Sequence, residues 1–160
     1  MGVQIVIEDN TGWQCSGRER RCYRSDSKHF ASTLLNTPFW NAVGHVCGVS
    51  VRELTFVVPG EAVPNELSHL YSSWDEFYQS RFQPIDPLII SLTGIVSFIT
   101  SNVDWLQQFQ HEWFKHEELA EYYYDDYFPE GYFLEDLEDT LQILQTSRKS
   151  GASSVCISFN

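Results

Sequence analysis

Basic residues are scarce in this chain: ten lysines and arginines stand against 22 aspartates and glutamates, for a net charge of −12 over 160 residues. A chain so poor in cations lacks the clustered positive charge that phosphate recognition needs, which argues against direct nucleic-acid binding and against anionic membranes. Long apolar runs are missing too. The longest, Leu88 to Ile99, is about half of what spanning a bilayer takes, and no apolar stretch of signal-peptide length follows a basic start. The four cysteines, Cys15, Cys22, Cys47 and Cys156, contain no C-x-x-C pair. They are expected as free thiols of a cytoplasmic protein, because a metal on Cys15 and Cys22 would need a second pair at finger spacing.

Catalytic signatures are absent as well. There is no G-x-S-x-G elbow and no glycine-rich phosphate loop. His111 and His116 bracket Glu112, but their i, i+5 spacing turns them about 140° apart on a helix. Zinc chemistry on a helix needs i, i+4. His45 and Cys47 are two apart and point away from each other on a helix. A non-enzymatic protein without metal or cofactor is the expectation.

What the chain does have is apolar and aromatic content, 42% and 15%, enough for one domain with a real core. Val3 to Ile7 reads as a strand, and residues 12–28 as a polar loop holding the one basic cluster, Arg18, Arg20, Arg21, Arg24 and Lys28. That loop is a candidate docking strip for the acids further on. Residues 1–28 are thus an N-terminal strand and basic loop, and 29–160 a single globular domain. Residues 29–47 have helical spacing, with a restart at Thr37-Pro38 and a glycine cap at Gly48. Val49 to Val58 reads as a strand ended by Pro59-Gly60. Asn65 is a plausible cap for a helix through Trp74, Tyr78 and Phe82. Leu88 to Ile99 fits a buried strand or a buried helix equally. Leu134, Leu137, Leu141 and Leu144 space out a helix to about Ser147, and Val155 to Phe159 closes as a strand. The fold expected is α+β, a single-domain α/β/α sandwich with a small, mainly antiparallel sheet and several amphipathic helices.

Trp74, Tyr78 and Phe82 recur every four residues on one helix face. Pro84 and Pro87 then stop the helix, leaving Asp86 before a proline and therefore extended. This stretch, W-x-x-x-Y followed by Ile85-Asp86-Pro87-Leu88, resembles the autoinducer-binding domain of LuxR-type quorum-sensing regulators. The passages His45 to Val58 and Arg148 to Val155 are similar to that family in the same order. The resemblance implies that Trp74 donates its indole N–H to the carbonyl of an acyl-homoserine lactone. Asp86 would accept the ligand amide, while Tyr78 and Tyr71 wall the acyl chain or bond its carbonyl and Trp105 serves as the second pocket tryptophan. A lipophilic amide is then the ligand, buried methylenes supplying affinity and matched polar atoms supplying specificity. The chain stops where the family's DNA-binding half would begin, so a sensing or modulatory domain is expected, with a full-length regulator as a partner. The competing reading of the same stripe is ordinary core packing, with Asp86 in an Asx turn.

A second function, of a different class, comes from the acids. Residues 104–139 hold twelve of the 22 carboxylates and one base, Lys115. Within this acidic helical segment Tyr122, Tyr123, Tyr124, Asp125, Asp126 and Tyr127 interleave aromatics with charge. Tyrosines anchor interfaces and carboxylates steer association. The expectation is an acidic interaction module facing a basic protein partner, either an immunity-type inhibitor or a DNA mimic.

Overall fold

The closing strand organises the sheet. In a computed structural model, which describes residues 4–17, 19, 22–24, 28–55, 57–58, 63–105, 127–128 and 130–159, β1 (Ile5–Asp9) runs antiparallel to β4 (Ser154–Phe159), with Ile5 opposite Phe159 and Ile7 opposite Ile157. β2 (Gln14–Ser16) pairs with the outer edge of β1, and the two-residue β3 (Gln83–Pro84) with β4. The order is β2-β1-β4-β3, antiparallel throughout. Val58 adds one parallel bridge beside Ser158.

Alternation along the strands separates two apolar layers. Ile5, Ile7, Cys15, Val155, Ile157 and Phe159 point into the main core. That core is completed by α1 (Lys28–Leu34), α2 (Thr37–Cys47), α5 (Ile85–Ser101) and α6 (Tyr132–Lys149). Cys156 points the other way, into a smaller cluster with Val58 and Phe77, backed by Val63, Leu67, Tyr71, Trp74, Tyr78 and Phe82. A 3-10 turn (Asn65–Leu67) and α4 (Trp74–Ser80) carry this second cover. The sheet lies between two helical layers, the expected α+β arrangement.

Helix boundaries follow local chemistry. Asn36, not Thr37, caps α2: its side-chain oxygen accepts from Phe39 N at 3.1 Å, with Pro38 in the first turn. Gly48 closes α2 in the left-handed region at φ 70°. Leu88 to Ile99 is helical, since Leu88, Leu92, Ile95 and Ile99 are buried at spacings of three and four along α5. Asn102 caps the C-terminus of α5, and 103–105 start a further helical turn.

Three expectations need correction. Val49 to Val58 is not a strand: α3 (Arg52–Thr55) turns the chain so that Val51 and Leu54 are both buried, with Leu54 N donating to Val51 O. Among the described residues of this stretch Val58 alone pairs with β4, on the edge whose start is taken by Gln83 and Pro84. Asn65 does not cap the aromatic helix. Ser73 does, in extended conformation, and its side chain accepts from Glu76 N at 3.2 Å. Cys15 and Cys22 are not free thiols but are joined as a disulfide, their Cα atoms 6.3 Å apart, leaving Cys47 and Cys156 free.

Candidate functional site

Ser72-Ser73-x-x-Glu76 starts the aromatic helix. Ser73 receives the Glu76 N–H, and the Glu76 carboxylate in turn accepts from Ser72 N at 2.8 Å. This is a capping box displaced by one residue. It aims Trp74, Phe77, Tyr78 and Arg81 at the back of the sheet. Tyr71 meets Phe77 edge-on at 5.2 Å, Trp74 lies 5.7 Å from Phe77 and 6.0 Å from Tyr78, and Tyr78 meets Phe82 at 5.6 Å. The Arg81 guanidinium stands 4.7 Å over the Phe77 ring.

A polar chain runs through this apolar layer. The Tyr78 hydroxyl donates to the Glu8 carboxylate and lies against Cys156. Burial, the bond to Glu8 and the charge on Glu8 hold the Tyr78 phenol protonated far above its usual range. Burial also pushes the Cys156 thiol up to about 12, with Glu8 adding to the rise and Tyr78 and Arg81 opposing it. Both groups therefore stay neutral near pH 7. Neither is an activated nucleophile.

The five residues expected to form a ligand pocket do not converge. Tyr71, Trp74 and Tyr78 stand together, half-buried, against the second cluster. Asp86 is in the first turn of α5 rather than extended, because Pro84 and Pro87 start a helix here as well as following one. Its carboxylate faces solvent in an ion pair with Arg148 Nε at 3.1 Å. Trp105 packs edge-on against Phe98 at 5.3 Å, beyond the far end of the 17-residue α5, which spans about 25 Å. A polar depression lined by Gln142, Gln145, Thr146, Arg148, Lys149 and Ser150 contains none of the five.

Of the second set, Tyr122, Tyr123, Tyr124, Asp125 and Asp126 lie outside the described residues, as do His111 and His116. Tyr127 is described, and it is no surface anchor. It is buried, donates to Asp136 Oδ2 at 2.7 Å and packs on Phe133 and Phe128. With Phe128 it fixes the return of the acidic segment into the main core.

Two further arrangements stand out, the first expected in outline from the basic loop and the second not singled out by any motif. Arg24 clamps α6: its backbone N and Nε each donate to Asp139 at 2.9 Å, and its terminal nitrogen reaches Glu138 at 3.0 Å and Glu135 O at 3.2 Å. The bond to Glu138 raises its guanidinium above its ordinary value, burial opposes this, and the charges of Asp139 and Glu135 with the Asp139 bond add to the rise. The basic loop thus docks on the acidic helix through this residue. Asp9, buried at the end of β1, accepts from Thr11 N at 2.8 Å and Trp13 N at 3.3 Å. Burial opposes its ionisation, but these bonds, with that from the Thr11 hydroxyl, hold its carboxyl below the usual carboxylate range. An aspartate just before a T-G turn was the available signal. Comparison with protein-family models, with curated proteins and with solved structures found no match.

Proposed function

We propose that the protein is a non-enzymatic acidic interaction module that engages a basic protein partner through the stretch between α5 and α6. One observation carries this reading. The Asp86–Arg148 ion pair sets the start of α5 beside the end of α6, so the two helices are antiparallel, and Ser101 and Tyr132 lie toward the same end of the molecule. The connection 102–131 holds eight carboxylates and one lysine, and it joins the helix that ends at Ser101 to the one that begins at Tyr132. An acid-rich stretch joining two packed helices suits fast, salt-sensitive association with a cationic surface.

Titration against a panel of basic nucleases and DNA-binding proteins is the direct test. Complexes are expected to weaken at least about tenfold between about 50 and about 200 mM salt. Asp125→Asn with Asp126→Asn should weaken them further. Complexes indifferent to both changes refute the proposal.

A second reading, the binding of a lipophilic amide, is favoured by the half-buried grouping of Tyr71, Trp74 and Tyr78. It needs a head-group contact other than Asp86, whose carboxylate is paired with Arg148. A melting temperature that does not move across acyl-homoserine lactones of several chain lengths eliminates it.

A further inference from the structure

We propose that Cys15 and Cys22 form a reversible thiol–disulfide switch that controls the docking of the Tyr23–Arg24 corner on α6. The pair joins two unlike environments. Cys15 is fully buried on β2 opposite Ile7, whereas Cys22 is only half-buried. The Cα separation of 6.3 Å lies inside the range of about 4.4–6.8 Å that a disulfide bridges without moving the backbone. Arg18, Arg20 and Arg21 lie between the two cysteines in the sequence, with Arg21 adjacent to Cys22. The sequence between the cysteines thus holds three cations and one carboxylate, and an excess of cations favours the thiolate that performs exchange. The Glu19 carboxylate, 3.9 Å from Cys22 Sγ, is placed to accept the thiol proton of the reduced form.

The residues around and after Cys22 make the bond consequential. Glu19 O accepts from Cys22 N at 2.8 Å and Tyr23 N at 3.1 Å, forming a tight corner directly at the disulfide. Tyr23 then enters the main core with its hydroxyl 2.8 Å from Thr140 Oγ1, and Arg24 closes on Asp139, Glu138 and Glu135. These are the first described contacts that the loop makes with α6, and the disulfide holds the corner that aims them. The inference stands on these contacts and does not depend on the identity of any partner.

The chemistry is thiol exchange with a small-molecule disulfide such as oxidised glutathione. The Cys22 thiolate attacks one sulfur of that disulfide, breaking its S–S bond and releasing one thiol. The Cys15 thiolate then attacks Cys22 Sγ and releases the second thiol. The protons of both cysteines end on the two released thiols, and the two electrons lost by the pair reduce the external disulfide.

The full-length protein equilibrated in glutathione buffers of graded ratio tests this by thiol counting and amide exchange. The expected result is interconversion between two and four free thiols. Exchange at 22–24 should rise at least about tenfold on reduction while β1 and β4 keep their protection. Cys22→Ser should show the fast exchange in every buffer. The proposal is overturned if no disulfide forms at any ratio, or if exchange at 22–24 is the same in both states. It is also overturned if reduction unfolds the whole sheet, which makes the bond a structural staple. Stoichiometric zinc uptake by the reduced protein that Cys22→Ser abolishes overturns it too, because Cys15, Glu19 and Cys22 would then be a metal site.

Discussion

Asp9 shows how one side chain can organise a corner of this protein. Its carboxylate holds the β1–β2 turn through Thr11 and Trp13, while the neighbouring Asn10 accepts from Ser153 N and Ser154 N at the start of β4. Removing a buried acceptor leaves its donors unmatched, so Asp9→Ala should lower stability by about 1–3 kcal/mol in urea unfolding. The sign of its pH effect is fixed by the lowered folded value. The contribution is fully present above the unfolded carboxylate range and is lost as pH falls through the lower folded one. Stability of the wild-type protein should therefore drop more steeply than that of Asp9→Ala as the solution is acidified below about pH 4. Tyr78 is the counterpart on the other face of the sheet. Tyr78→Phe keeps the ring contacts with Trp74 and Phe82 but removes the donor to Glu8. The loss expected in the same measurement is about 1 kcal/mol.

Among the elements, α2 and the α6 clamp carry the clearest consequences. Gly44 lies where α2 meets the returning chain, and a Cβ there would stand 2.8 Å from both Val49 O and Val51 Cγ1. A backbone oxygen cannot swing away as a flexible side chain can. Gly44→Ala should therefore destabilise by about 1–3 kcal/mol, although alanine is the better helix former by about 1 kcal/mol in an open helix. Thermal unfolding followed by circular dichroism checks this reversal. Arg24 reaches three carboxylates, but its side chain is 53% exposed, so the ion pairs alone are screened. Arg24→Ala should cost only about 1 kcal/mol. Asp139 is different: its side chain is 12% exposed and accepts both the backbone N and the Nε of Arg24. Asp139→Ala should cost more, and amide exchange at Arg24 should report the loss directly.

At the scale of the whole molecule, charge is the dominant fact. A net charge of −12 places like charges close together, and self-repulsion opposes the compact state. Salt should therefore raise the melting temperature over the first about 0.15 M as carboxylate repulsion is screened. The same salt should weaken any complex with a cationic partner, and the opposite signs separate the two effects in one set of titrations. No helix among the described residues is long and apolar enough to cross a membrane. The sheet is small for the chain, and the second cluster behind it is held by Phe77 and its aromatic neighbours rather than by further strands.

The sequence by itself determined the elements whose signal is local. The glycine end and Pro38 mark α2 to within a residue, leucine spacing marks α6, and β-branched alternation marks β4, because capping and periodicity act within a few residues. The acid-rich segment and the aromatic stripe of Trp74, Tyr78 and Phe82 were legible for the same reason. Tertiary structure alone decided what those features face. It made Leu88 to Ile99 a helix, since a fully apolar run takes whichever form its neighbours bury. Val49 to Val58 became a helical turn with one bridge, because burying Val51 and Leu54 turns the chain before Val58 reaches β4. Asp86 and Trp105 were sent to opposite ends of α5, so the stripe packs a cover layer instead of closing a pocket around a carboxylate. Tyr127 went into the core, and Cys15 was brought to Cys22. Such pairings depend on distances between residues remote in the chain or on the path of a turn, and neither composition nor spacing encodes them.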